Sequence, residues 1–319
     1  MSPRARILVV VSIAAAVAAS LAVAGAVATR QDRGGTKPRA GSPPLVLDLG
    51  LRTDAAATAI RRATTLYLDG HREQAGGIFE RYEEPQARIG AALSRWPNGS
   101  VAELEVLAEE RPRDPVVLLN LGIARVWAGE EGGAAALERV GKVGPDTLSA
   151  VRAGDLLHPE LAPGLPTFVP TVPFPSELVS LTPPRQFAGL ERRARSGRVD
   201  DLLLYGVALQ RLGRQRSAER VYARAARIAP DDPEAQVAAA VGRFDKDDPS
   251  RSFSRLGPLT RRFPHAATVR FHLGLLLLWI GRVEPAKKQL RQAAADGRGT
   301  SIGREANRFL TRLESTGSS

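Results

Sequence analysis

Apolar side chains recur at steps of three and four along most of the chain, the period of an amphipathic helix. In "DDLLLYGVALQRLGRQRSAERVYARAARIAPDDPEA", Leu202, Tyr205, Leu209 and Leu212 form one stripe, which Gly213 interrupts. Ala218, Val221, Tyr222 and Ala225 form a second, and Pro230 ends it because proline brings no N–H to the helix. The predicted unit is helix, tight turn, helix. A shift of 34 residues brings the punctuation back: Gly206 meets Ala240 and then Gly274, and Pro230 meets Pro264. After two shifts Gly213 meets Gly281 and Ala218 meets Ala286. A sustained period of paired helices predicts an array in which each pair covers the apolar face of the next.

The same phase runs more faintly through the first half. "PVVLLNLGIARVWAGEEGGAAALERV" places Gly122, Gly129 and Ala134 at the offsets of Gly206, Gly213 and Ala218. "TDAAATAIRRATTLYLDGHREQAGGIFERY" offers Gly70, Ala75 and Phe79 in that phase. Between them "SVAELEVLAEERP" is expected to open with a capping box, Ser100 and Glu103. Five to seven helical pairs are expected in all.

Two stretches break the pattern. Residues 7–29, "ILVVVSIAAAVAASLAVAGAVAT", carry no charge. At ~1.5 Å per residue such a helix crosses the ~30 Å hydrocarbon core. It reads as a single-pass anchor in the cell membrane, behind a basic lead at residues 1–6. Cleavage near the small residues Ala22, Ala24, Ala26 and Ala28 is the alternative. Arginines lie on both sides of it, and its short signal-like start favours an extracytoplasmic main domain. Residues 30–52 read as a flexible linker from their Gly and Pro content. The second break, residues 158–184, holds eight prolines and cannot be a continuous helix. Its apolar centre, "LPTFVPTVPFP", suggests an extended strap. Two positions are open to it: on the outside of the array, bridging two blocks, or in the binding groove as an internal pseudo-ligand.

These residues and spacings resemble the tetratricopeptide repeat (TPR) family, in a bacterial form with an N-terminal membrane anchor. The family pattern asks for a small residue where the first helix crosses its neighbour (Gly206, Gly274), a turn glycine (Gly213, Gly281) and a small residue on the second helix (Ala218, Ala286). A large residue follows at Tyr222 and Leu290, then Ala225 and Ala293, and a closing proline at Pro230 and Pro264. The unit at 233–266 departs from it, with "RFDKDDPSRS" in place of the turn glycine and Phe253 near the small-residue position. The last unit has Arg298 where the proline belongs and runs into "SIGREANRFLTRLE", a capping helix. The resemblance implies an all-α fold, an α-α superhelix or TPR-like solenoid, with an N-terminal transmembrane helix. Its blocks would be residues 53–157 and 185–319, with the strap between them. "FHLGLLLLWIGR", residues 271–282, is too short for a second span and becomes the first helix of the last clear repeat.

A TPR-like array also implies a site, the groove lined by the first helix of each pair. Repeat phase puts Leu203, Val207, Gln210 and Arg211 there, then Val237, Val241 and Phe244, then Phe271, Leu275, Leu278 and Trp279. Leu119, Ile123, Val126 and Trp127 would be their counterparts in the earlier block. A groove so apolar fits an apolar peptide segment or an amphipathic helix, unless neighbouring helices or the strap cover it. The implied function is a non-enzymatic scaffold binding a protein or peptide partner.

Composition narrows the chemistry. The chain has no cysteine, which excludes disulfides, thiolate catalysis and lipidation on Cys. The net charge of +11 lies in the second half, where residues 185–319 carry 26 basic and 14 acidic groups. That excess supports an alternative function, binding of an acidic polymer, nucleic acid or anionic lipid surface, although no interleaved aromatics provide a base-stacking platform. Nucleic acid is thus the less favoured partner. No paired-His motif, nucleophile elbow or P-loop is present, so no metal, cofactor or catalytic residue is expected. His272, among apolar residues, reads as a packing histidine, and His71 and His265 as solvent-facing. "FDKDDPS", residues 244–250, lacks the glycine and spacing of a calcium loop and reads as a solvated loop.

Overall fold

The computed structural model describes residues 37–316, and their regular structure is helical throughout. The expected membrane span at 7–29 and the lead at 1–6 lie outside the described residues. Among those described, no helix is long and apolar enough to cross a membrane. They form two compact units that divide between Leu157 and His158.

The first unit pairs α1 (Ala55–Leu68) with α2 (Arg72–Phe79), α3 (Pro85–Ser94) with α4 (Ser100–Glu110), and α5 (Pro115–Ala128) with α6 (Gly133–Val143). It closes with α7 (Leu148–Leu157). The second begins with the Pro-rich strap, the short α8 (Ser176–Val179) and α9 (Pro183–Ala194). Three pairs follow: α10 (Val199–Arg211) with α11 (Gln215–Ile228), α12 (Pro233–Val241) with α13 (Ser250–Arg262), and α14 (Ala267–Trp279) with α15 (Val283–Asp296). The terminal α16 (Ser301–Thr316) packs on α15 and α14.

Helix starts and stops follow from local chemistry. Asp114 and Asp232 cap α5 and α12, each accepting a first-turn N–H, and Pro115 and Pro233 follow where no intrahelical N–H is required. The four turn glycines all take positive φ: 89° at Gly70 and 71° at Gly129, Gly213 and Gly281. After each, the next N–H reaches back five residues: His71 to Leu66 O (2.8 Å), Glu130 to Arg125 O (2.9 Å), Arg214 to Leu209 O (2.9 Å) and Arg282 to Leu277 O (2.8 Å). One bonded turn thus recurs across both units, satisfying carbonyls that a helix end would otherwise leave open.

The small first-helix residues are set by contact. A Cβ on Gly206 would overlap the Tyr222 ring, and one on Gly274 would stand 2.9 Å from Leu290. Gly122 faces Leu137 at the same 2.9 Å, and Gly90 faces Phe79 at 2.6 Å. Each glycine lets a large side chain of an adjacent helix lie flat on the backbone, and those side chains are almost fully buried.

Two expectations need correction and a third is made more specific. The capping box is absent: Gly99, at φ 72°, is the N-cap of α4, Ser100 donates to Ala92 O (2.7 Å), and Glu103 pairs with Arg95. The Ser100 hydroxyl finds its acceptor on the neighbouring helix and leaves the α4 terminus uncapped. In the 233–266 unit the small-residue position is filled by the fully buried Ser252, one residue before Phe253, so the pair keeps its phase without a turn glycine. The loop at 244–250 is only partly solvated. Phe244 and Lys246 are buried, and Asp245 receives Arg216 (3.6 Å) and Arg251 (3.3 Å).

Candidate functional site

In the second unit the strap lies across the face built by the first helices α10, α12 and α14. It begins at the end of α14, where Ala162 N–H donates to Trp279 O (3.0 Å) and the Trp279 indole N–H donates to Gly164 O (3.3 Å). The Lys246 ammonium adds a bond to Ala162 O (2.8 Å). Three consecutive first helices then each take one strap N–H. Phe168 N donates to Gln210 Oε1 of α10 (3.0 Å), Val169 N to His272 Nε2 of α14 (2.9 Å), and Thr171 N to Glu234 Oε1 of α12 (3.0 Å). The strap therefore lies on the first-helix face, the second of its two expected positions.

One side chain anchors it. Phe168 is fully buried, stacked on the His272 imidazole at 5.0 Å between ring centroids and edge-on to Tyr222 at 5.6 Å. Beyond it, Val172 and Phe174 pack on Leu178, Leu190 and Leu204. The readers are themselves held. The Tyr222 hydroxyl donates to Gln210 Oε1 (2.9 Å), and His272 Nδ1 sits 2.7 Å from Thr268 O. Because Nε2 accepts from Val169, Nδ1 carries the proton, and the ring is neutral. Burial pushes the His272 pKa down to about 4 and holds the Tyr222 phenol well above its ordinary value. Burial also raises the Glu234 carboxyl, against the lowering effect of its bond to Thr171.

The first unit repeats this arrangement with a different segment. Leu45 and Leu49 are buried in the cluster formed with side chains of the first five helices, α1 to α5. Asn120 of α5 exchanges two bonds with one residue, accepting from Val46 N (3.1 Å) and donating to Val46 O (2.7 Å). Tyr67 donates to Pro43 O (2.7 Å), Arg39 N–H donates to Trp127 O (2.8 Å), and the Arg39 guanidinium lies over the Trp127 ring. Part of the stretch read as a flexible linker is thus packed chain. The Gly and Pro content of residues 30–44 masks the alternating leucines at 45, 47 and 49, which supply the burial. Asn120 and His272 occupy one repeat phase, two residues before Gly122 and Gly274, and both bind the main chain of an extended segment.

Of the expected groove residues, Gln210 and Trp279 bond the strap directly. Leu203, Val207, Val237, Val241, Phe244 and Leu275 are buried in the core cluster that Phe168 also enters. Phe271 is fully buried against Phe309 of α16 (5.9 Å), Leu278 is half-buried, and Arg211 is exposed. Spacing alone passed over His272, Glu234, Tyr222 and Asn120 as main-chain or aromatic readers. An asparagine inside the otherwise apolar "PVVLLNLGIA" was the available signal for the last of these. Among the described residues, no group of three or more histidines and carboxylates is placed to hold a metal ion.

Both units are arrays of helix pairs, with the same glycine turn recurring in each. No family model matches the chain, and no curated protein matches it. Among solved structures it is similar to a tetratricopeptide repeat protein from Parabacteroides merdae, at 12% identity over 80% of this chain and 98% of that one, with a TM-score of 0.33. The TPR2AB domain of yeast Sti1 in its complex with pHSP90 is 12% identical over 81% of this chain and 98% of that chain, with a TM-score of 0.31. Yeast Tom70 is 10% identical over 87% and 68%, also at 0.31. The recurring turn and the helix-crossing contacts define the fold.

Proposed function

We propose that this chain is a non-enzymatic scaffold of bacterial type, tethered to the cell membrane through residues 7–29, whose second unit binds a protein partner on its first-helix face. The observation that carries this reading is the strap. An extended polypeptide already sits on that face, held by main-chain bonds to three successive helices and by one aromatic anchor. A surface that binds its own chain in this mode has the chemistry to bind another. The expected main domain is extracytoplasmic, which protease accessibility on intact cells tests. Crosslinking the full chain in native membranes tests the scaffold. A reproducible partner crosslinked to α10, α12 or α14 supports it, and crosslinks confined to other surfaces remove it.

A second reading has its own observation. Arg224 and Arg227 of α11, Arg255, Arg261 and Arg262 of α13, and Lys288 and Arg291 of α15 are all exposed on second helices of consecutive pairs. Such a face suits an anionic lipid surface or acidic polymer. Its affinity would fall steeply with added salt, and salt-insensitive binding would rule it out.

A further inference from the structure

We propose that the strap is an exchangeable occupant, and that the partner inserts a segment of the same chemistry: an extended, proline-flanked run with an aromatic residue followed by a β-branched one. This rests on the scaffold reading and names the kind of segment it binds. The contacts define that segment. Gln210, His272 and Glu234 take the N–H groups of Phe168, Val169 and Thr171, and any extended chain presents such groups. The one deeply buried side chain is Phe168, between the His272 and Tyr222 rings, and Val169 beside it is partly buried. Pro166 and Pro170 flank this pair at positions where no N–H is called for, and proline favours the extended form before binding.

Two observations separate this from ordinary core packing. The helix pairs also make close contacts among themselves that involve no strap residue, Leu290 lying against Gly274 and Phe271 against Phe309, within the cluster that Phe168 enters. The first unit also uses a polar side chain at the phase of His272 to bind the main chain of an extended segment through both N–H and C=O of Val46. Two grooves occupied by segments as different as "PPLVLDL" and "PTFVPT" indicate sites that read the backbone beside buried apolar side chains.

The test uses the full chain and a labelled peptide of residues 163–174. In the wild type the tethered strap competes at an effective concentration on the order of millimolar and keeps the peptide out. Val169→Pro removes the N–H that His272 accepts and should loosen the strap. The V169P chain should then bind the peptide at least about tenfold more tightly than the wild type. A peptide carrying Phe168→Ala should lose most of that affinity. A V169P chain with unchanged helical circular dichroism that binds the peptide no better than the wild type overturns the proposal, as does equal binding of the altered peptide. Hydrogen exchange on the wild-type chain gives a second reading should V169P misfold. The amides of Phe168 and Val169 should exchange ahead of those in α10, α12 and α14, and exchange in step with the helices overturns the idea. A V169P chain that still crosslinks to a membrane partner but ignores the peptide defeats this inference alone. Peptide binding without any crosslinked partner defeats the scaffold reading instead.

Discussion

His272 joins the strap to the array through a single protonation state. Its Nε2 accepts the Val169 N–H only while the ring is neutral, and burial lowers its pKa to about 4 from an ordinary value of about 6.5. A strap-open or unfolded state therefore binds more protons than the closed one across that interval, so closure is favoured above about pH 6.5 and weakens as pH falls toward 4. Glu234 works in the opposite sense, because its raised pKa favours the protonated form in the closed state. His272→Gln keeps an acceptor without the titration. Trp279 fluorescence should report strap release on acidification in the wild type and a flatter profile in H272Q; identical profiles would contradict the assignment. At the same scale, Phe168→Ala removes the buried ring and should weaken docking by about 3 kcal/mol. Limited proteolysis would show this as cleavage within residues 162–175 while the helices stay intact. The aromatic content of the strap was readable in the sequence. The role of His272 was not, because it lies 103 positions beyond Val169 and its apolar neighbours mark it only as a packing histidine.

At the level of the helix pair, much was legible because the turn and crossing residues act locally. A glycine at positive φ and a glycine beneath a large side chain leave a mark at a fixed offset, so the 34-residue shift found Gly206, Gly213, Gly274 and Gly281. Gly281→Ala should cost about 1 to 2 kcal/mol through backbone strain at a site with open space around it. Gly206→Ala acts differently, pushing the Tyr222 ring off the backbone, and should cost on the order of 1 to 3 kcal/mol by overpacking. Chemical denaturation of the two variants distinguishes these effects. Only G206A should also disturb strap docking, since Tyr222 bonds Gln210 and packs on Phe168. The capping box failed because its motif specifies local bonding, whereas Ser100 is fully buried with an acceptor on the adjacent helix. The packed segment at 43–49 was hidden by the same limitation, since Gly and Pro counts speak for a linker and only contact with Asn120 speaks against one.

At the scale of the molecule, the described residues form two helical arrays, each with an extended stretch of the same chain bonded to its first helices. On the proposed scaffold function, a partner must displace the strap from the second unit rather than enter an empty groove, which makes access a competition. The absence of cysteine permits a direct test, since introduced thiols would be the chain's only ones. Thr171→Cys and Glu234→Cys put two thiols where the strap main chain meets a side chain of α12. In the V169P chain, whose strap no longer excludes the peptide, a reducible thiol-reactive crosslinker joining the two would lock the strap in place, and reduction would release it. The deciding measurement is capture of the strap peptide and of the membrane partner by this variant, before and after reduction. Binding that is absent while the strap is tethered and present after reduction is the predicted result; equal capture in both states would show that the partner site lies elsewhere.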